Sequence, residues 1–171
     1  MKITFKTEWK DAIEHLPFPI KKSMPDWYKK IPSFVSTDRD HRSVKMCMPF
    51  QDALISGYCI PMPMDLLLKK EIIGAMKLLN PWIIKTPPGY SCLFLPPLNR
   101  ERKYFEIISG IIDTDNYGGV TNLPSYLMDW DDNQKGHDSL MIPGGTPIAQ
   151  VFPFKRDSWK MEVKDDDWDK D

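Results

Sequence analysis

Proline decides what this chain cannot be. Sixteen prolines occur in 171 residues, nearly twice the usual share of about 5%, and they run from Pro17 to Pro153 rather than gathering in one tail. Each lacks a backbone N–H and fixes φ, so it breaks helix interiors and central strands and is at home in edges, short strands and turns. That excludes a helical bundle. Between the prolines lie short apolar runs: Val44 to Met48, Ala53 to Ile60, Asp65 to Leu68, Trp82 to Ile84, Tyr90 to Leu95, Phe105 to Ile112 and Ile148 to Phe154. Pro, Gly and Asn separate them at intervals of roughly 8 to 15 residues, a pattern that predicts an all-β barrel or sandwich. Only Leu66 to Leu79 competes as a helix, and Gly74 within it and Asn80-Pro81 at its end weaken that reading.

A length of 171 residues suits one domain with a real core. Residues 1–43 read as an irregular arm, with a strand-like start at Ile3 and Phe5 and one helical turn begun after Pro25. Trp27, Tyr28 and Phe34 either pack this arm on the body or form an exposed aromatic platform. The β domain is expected over 44–164. Within it, Asp129 to Ser139 reads as a polar hairpin loop. The last stretch, 165–171 (DDDWDKD), holds five aspartates and is expected to be a frayed acidic tail.

A formal net charge of −1 gives no electrostatic reason to expect DNA or RNA as a partner, because such binding rests on neutralising phosphates with a basic surface. Cys47, Cys59 and Cys92 are odd in number and widely spaced, which indicates neither a disulfide framework nor a structural zinc site. MKITFKTEWK places charges where a signal peptide needs its apolar run, and no apolar stretch is long enough to span a membrane. A cytoplasmic location is the expectation. Phosphate-binding GxxxxGK[ST], dinucleotide-binding GxGxxG, GxSxG and HExxH are all absent, and His15, His41 and His137 stand in unrelated contexts.

Four segments in order carry a more specific signal: SGYCIPMPMD (Ser56 to Asp65), PPGYSCLFLPPLNR (Pro87 to Arg100), SGIIDTDNYGG (Ser109 to Gly119) and IPGGTPIAQVF (Ile142 to Phe152). Together they resemble the trimeric dUTPase and dCTP-deaminase superfamily, whose chain runs through an AGYDL-like strand, a PPG turn leading into an APRSG-like segment, a GVIDxDYRG hairpin and a GDRIAQ strand. The resemblance covers about residues 44–156. PDWYK, PLNR, GIIDTD and GTPIAQVFPFKRD further resemble a phage and bacterial protein family. The superfamily resemblance implies a β-clip fold and a homotrimer with nucleotide sites at the clefts between subunits. It also implies a role for Asp113 in activating the water that attacks the α-phosphate, with Asn116 or Tyr117 packing on the sugar. No cofactor is expected beyond Mg²⁺ arriving with a nucleotide phosphate.

The third segment also has a reading of its own. Ile107, Ile108, Ile111 and Ile112 make a β-prone run ending at Asp113, and Asp115, Asn116, Gly118 and Gly119 supply a turn. A carboxylate there can act as a general base toward a bound water; equally, Asp113 and Asp115 can serve only to cap the hairpin. Asn99 and Arg100 form the best anion-binding candidate outside this turn, since guanidinium suits phosphate or carboxylate; the alternative is an Arg100 paired with Glu101 or Glu106. Gly57 and Tyr58 complete the candidate ligand-binding set, which also takes in Asn99, Arg100, Asp115, Asn116 and Tyr117.

Departures from the superfamily pattern matter for function. Cys59 stands where the first motif has Asp, Leu98-Asn99-Arg100 where the second has Arg-Ser-Gly, and the third carries one extra residue. No glycine-rich arm follows Lys164, and an aspartate tail repels a triphosphate. These changes weigh against standard dUTP hydrolysis. They leave three readings: a protein that binds a nucleotide or related small anion, a nucleotide phosphohydrolase using Asp113, and a non-enzymatic structural or interaction trimer.

Overall fold

The computed structural model describes residues 1–10, 13–37, 39–69, 75–102, 105–127 and 139–163. Their architecture is antiparallel β throughout, with two short helices. In chain order the elements are β1 (Thr4–Lys6), β2 (Phe18–Pro19), α1 (Asp26–Lys30), α2 (Met48–Ile55), β3 (Tyr58–Pro61), β4 (Leu66–Lys69), β5 (Ala75–Leu78), β6 (Ile83–Lys85), β7 (Tyr90–Leu95), β8 (Phe105–Ile107), β9 (Gly110–Ile112), β10 (Leu123–Leu127), β11 (Ser139–Ile142) and β12 (Pro147–Lys155). Among the described residues no helix is long and apolar enough to cross a membrane.

The largest sheet has the order β2-β3-β12-β7-β9. Smaller sheets β5-β10-β8, β11-β4 and β1-β6 enclose the rest of the core. At nine residues, β12 is the longest strand, and it pairs on both edges: Val151 lies opposite Tyr58 of β3 and Phe94 of β7. Ile60, Trp82, Ile84, Phe94, Ile107, Ile142, Ile148 and Val151 form the centre of one buried cluster. Two segments before residue 44 join the sheets, since β1 pairs with β6 and β2 with β3. Trp27 and Tyr28 meet Phe50 of α2, with the Tyr28 and Phe50 rings stacked at 6.0 Å.

Several sequence expectations meet a different local structure. The Ala53 to Ile60 run is no continuous strand: α2 occupies its first part. Pro49 in the first turn is prearranged for a helix. The helix stops at Ser56, and Gly57 then turns the chain at φ +82°, where a Cβ would stand 2.5 Å from the Val151 carbonyl oxygen. Only glycine fits there. Val44–Met46 likewise form a 3₁₀ turn rather than a strand, capped by the Ser43 hydroxyl. The Phe105 to Ile112 run divides, because β8 pairs with β10 while β9 pairs with β7. Leu66 to Leu79 contributes strands β4 and β5 where the helix was the competing reading, and β10 and β11 are strands that the apolar runs did not mark. The expected hairpin loop lies outside the described residues up to Ser139, and so does the acidic tail.

One side chain fastens the seam between α2 and the large sheet. Gln150, fully buried in β12, accepts from the Leu98 amide (2.8 Å) and donates to the carbonyls of Ala53 (2.9 Å) and Ser56 (2.7 Å). All three cysteines are free thiols. Cys59 and Cys92 are buried and Cys47 is exposed; burial pushes the Cys59 thiol up to about 12.

Replacing Gln150 by Leu keeps the volume but orphans one amide and two carbonyls. Since each buried unpaired group costs about 1 to 3 kcal/mol, the variant should lose roughly 3 kcal/mol or more of stability in urea unfolding; a loss of a few tenths would show that water replaces the carboxamide.

Candidate functional site: the turn after β9

Strand β9 runs antiparallel to β7, with Ile112 opposite Cys92. Its end therefore delivers Asp113 beside Ser91, at the start of β7. The chain then turns tightly: the amides of Asn116 (3.0 Å) and Tyr117 (2.8 Å) both donate to the Asp113 carbonyl. Thr114 points inward, 1% exposed, and shares a 2.7 Å hydrogen bond with the Thr86 hydroxyl. Its neighbour Asp113 faces solvent.

The two acids of the turn occupy different environments. The Asp115 side chain is 6% exposed and is gripped by Arg156, Nη1 to Oδ1 at 2.9 Å and Nη2 to Oδ2 at 2.5 Å, with the Gly89 amide adding a third donor at 2.8 Å. The hydrogen bonds from the Arg156 guanidinium, with help from the Gly89 amide, hold its carboxyl well below the usual carboxylate range despite desolvation. Asp113, by contrast, is 58% exposed. Its Oδ1 accepts from the Ser91 hydroxyl at 2.6 Å and lies 3.2 Å from Arg156 Nη1. The carboxylate is thus held yet accessible to water.

Asp113, Asn116 and Tyr117 line one open cleft of about 820 Å³, with Lys77, Ile111 and Asn122 among the other walls. Tyr117 is 46% exposed and is held at its rim, its hydroxyl donating to the Val120 carbonyl (3.1 Å) and its carbonyl accepting from Lys85 Nζ (2.7 Å). The cleft thus offers an acid, an aromatic face, carboxamides and a cation. These are the groups that orient a polar aromatic ligand bearing charge.

The other sequence candidates lie elsewhere. Asn99 and Arg100 follow the far end of β7, a strand length of about 20 Å from Asp113. Asn99 adopts φ +55° and donates to the Phe50 carbonyl. The Arg100 guanidinium does not pair with Glu106, which instead meets Arg102. It donates to the carbonyls of Leu98 (3.1 Å), Ile20 (3.3 Å), Ser23 (3.0 Å) and Leu54 (3.1 Å). Gly57 and Tyr58 sit at the start of β3, where the Tyr58 ring meets Phe5 at 5.9 Å. One chain therefore gathers Asp113, Asp115, Asn116 and Tyr117 on a single turn and leaves the Asn99-Arg100 and Gly57-Tyr58 pairs apart from it. Arg156, Ser91 and Lys77 were not among the sequence candidates. Arg156 lies just past the end of β12, and only the register between β12 and β7 brings it to the turn.

No family model and no curated protein matches the sequence. Solved structures do. A variant of the dUTPase of Staphylococcus bacteriophage 80alpha superposes with a TM-score of 0.53 at 18% identity, covering 96% of this chain and 95% of that one. The chain has the dUTPase fold. A second variant of the 80alpha dUTPase, with dUpNHpp, gives a TM-score of 0.52 at 18% identity over 96% of this chain and 87% of that one. The dUTPase from phage phi11 of S. aureus gives 0.50 at 15% identity over 96% of both chains. The dUTPase-fold expectation and the all-β expectation both hold.

The Asp115–Arg156 pair makes stability depend on acid. A carboxyl whose folded pKa is depressed stabilises the fold above its unfolded value, near 3.9, and loses that contribution as pH falls further. Asp115→Asn should therefore be less stable than the wild type at pH 7, and the gap should narrow as pH falls below about 4. Thermal melts of the two proteins across that range check it; a gap that widens on acidification would contradict the pairing.

Proposed function

We propose that this chain binds a nucleoside phosphate in the cleft beside the Asp113 to Tyr117 turn, at a boundary between subunits of a homotrimer. The observation that carries the reading is that Asp113, Asn116 and Tyr117, singled out in the sequence, line one cleft together with Lys77. The fold supports it, as does the dUpNHpp complex of the 80alpha dUTPase variant. The Tyr117 face offers stacking to a sugar or base. Asn116 supplies a donor and an acceptor, and Lys77 a charge for phosphate.

The subunit boundary follows from separation. Asn99-Arg100 and Gly57-Tyr58 cannot meet Asp113 within one chain, so a site combining them draws on different copies. Arg100 already donates to four carbonyls, which leaves Asn99 and the main chain of that turn as its polar contribution. A divalent ion such as Mg²⁺ would enter with the phosphates. Among the described residues no three His, Cys, Asp or Glu side chains cluster to hold one, and Asp115 is committed to Arg156.

Hydrolysis is the second reading, favoured by the exposure of Asp113 and by the Ser91 hydrogen bond and Arg156 ion pair at its Oδ1. A water held by the carboxylate would bond to the α-phosphorus as the bridging oxygen to the β-phosphorus leaves, and Asp113 would take the proton. The products are a nucleoside monophosphate and pyrophosphate.

A thermal-shift panel of dUTP, dUMP, dCTP and other nucleotides, with and without Mg²⁺, should raise the melting temperature for at least one nucleotide, because ligand bound to the native state stabilises it. Asp113→Asn should keep that shift and abolish any turnover. A wild type that answers to no nucleotide leaves only the non-enzymatic trimer. Light scattering tests the assembly, and a monomer at micromolar concentration would remove the shared site.

A further inference from the structure

The network around Asp115 reaches one residue further than a hairpin clamp needs. Arg156 satisfies Asp115 with both terminal nitrogens, and the Gly89 amide completes that carboxylate. Capping requires nothing more. Yet Arg156 Nη1 also donates to the Ser91 hydroxyl at 3.0 Å and to the Tyr90 carbonyl at 3.2 Å, and it lies 3.2 Å from Asp113 Oδ1. Ser91, fully buried, donates its hydroxyl hydrogen bond to that same oxygen at 2.6 Å. A hydrogen bond from Ser91 and an ion pair with Arg156 thus converge on one oxygen of an otherwise exposed carboxylate.

The chemistry of that convergence is orientation. A carboxylate on an exposed turn rotates freely, and both oxygens then present themselves to solvent alternately. Fixing Oδ1 from two directions fixes the plane of the group and leaves the second oxygen in one place. A base that must meet a water on the line of attack gains from that, because misplacement by about 1 Å can cost on the order of 100-fold in rate.

We propose that Arg156 and Ser91 are positioning residues for Asp113, holding its carboxylate in the attitude from which it serves a nucleotide in the cleft. The inference rests on the hydrolytic reading of Asp113. It also gives the end of β12 a part in the site, since the Arg156 amide is anchored on the Gly89 carbonyl at 2.8 Å and the side chain is thereby referenced to the start of β7.

The experiment uses the full chain and the best nucleotide triphosphate from the panel, with Ser91→Ala, Arg156→Lys, their double variant and Asp113→Asn. Melting temperatures establish which variants fold, and Ser91→Ala stands alone if Arg156→Lys does not. Binding is read with the analogue dUpNHpp and turnover as pyrophosphate release. The expected result is a fall in kcat of about 10- to 100-fold for each folded single variant, with dUpNHpp affinity unchanged. The double variant should lose no more than the product of the two, since both groups act on one oxygen. If kcat is unchanged in the folded variants while Asp113→Asn abolishes turnover, the positioning role is wrong and the reading of Asp113 stands. If the wild type releases no pyrophosphate, or Asp113→Asn releases it at the wild-type rate, the reading of Asp113 fails and the positioning role falls with it. A loss of dUpNHpp affinity matching the loss of kcat also overturns it, since that is the mark of a merely structural contact.

Discussion

The carboxamide of Gln150 is the joint on which this molecule closes. A buried amide is expensive unless every polar atom finds a partner, and Gln150 finds its partners in segments more than fifty residues away in sequence. Its side chain is fully buried where the end of α2 lies against the sheet, meeting the carbonyls of Ala53 and Ser56. The consequence is geometric. The end of α2, the Gly57 turn and the chain after Leu98 must all arrive at one point, and Arg100 completes the same joint by gathering carbonyls from 20, 23 and 54. Burial lowers the tendency of that guanidinium to hold its proton, a cost accepted only because the carbonyls surround it.

Strand β7 thus has two unlike ends. At its C-terminal end the polar groups face one another and are consumed in holding the fold. At its N-terminal end, Ser91, Arg156, Asp113 and Asp115 form a network with one member open to solvent. The same pair of residue types, an arginine beside backbone oxygens, is architecture at one end and the support of an acid at the other. Exposure separates the two. It also separates two aspartates only two positions apart, one sealed against Arg156 and the other facing the cleft.

Much of this was legible in the sequence, and the limits have physical causes. The β architecture was readable because proline and β-branched runs act locally, and Tyr90–Leu95 forms a strand over the very run that marked it. Residues 48–55 escaped because Ala53, Leu54 and Ile55 look alike in a helix and a buried strand; the Pro49 start was the signal available. Strand β10 was missed because Pro124 and Ser125 interrupt its apolar pattern, a tolerated composition where the strand is short. In the site, the acid and its turn were visible as a local cluster. Arg100 looked like an anion site because an arginine beside Asn in a loop carries no mark of the carbonyls that will surround it, and Arg156 went unmarked because its side-chain partners are 41 and more residues away. Local chemistry can be read from one sequence; pairing across strands cannot.

The distribution of the three thiols has a practical side. Cys59 and Cys92 lie in the core with their protons held more firmly than a free thiol's, so only Cys47 meets a reagent from solvent. It stands at the N-cap position of α2 without a side-chain cap hydrogen bond, three residues from the Phe50 ring that Trp27 and Tyr28 cover. A single maleimide dye therefore labels this protein at one address without mutagenesis, at the start of the helix whose Phe50 ring meets the Trp27 indole. The fluorescence of such a conjugate reads directly whether the N-terminal segment stays seated on the body, and so turns an incidental cysteine into a built-in gauge of that contact.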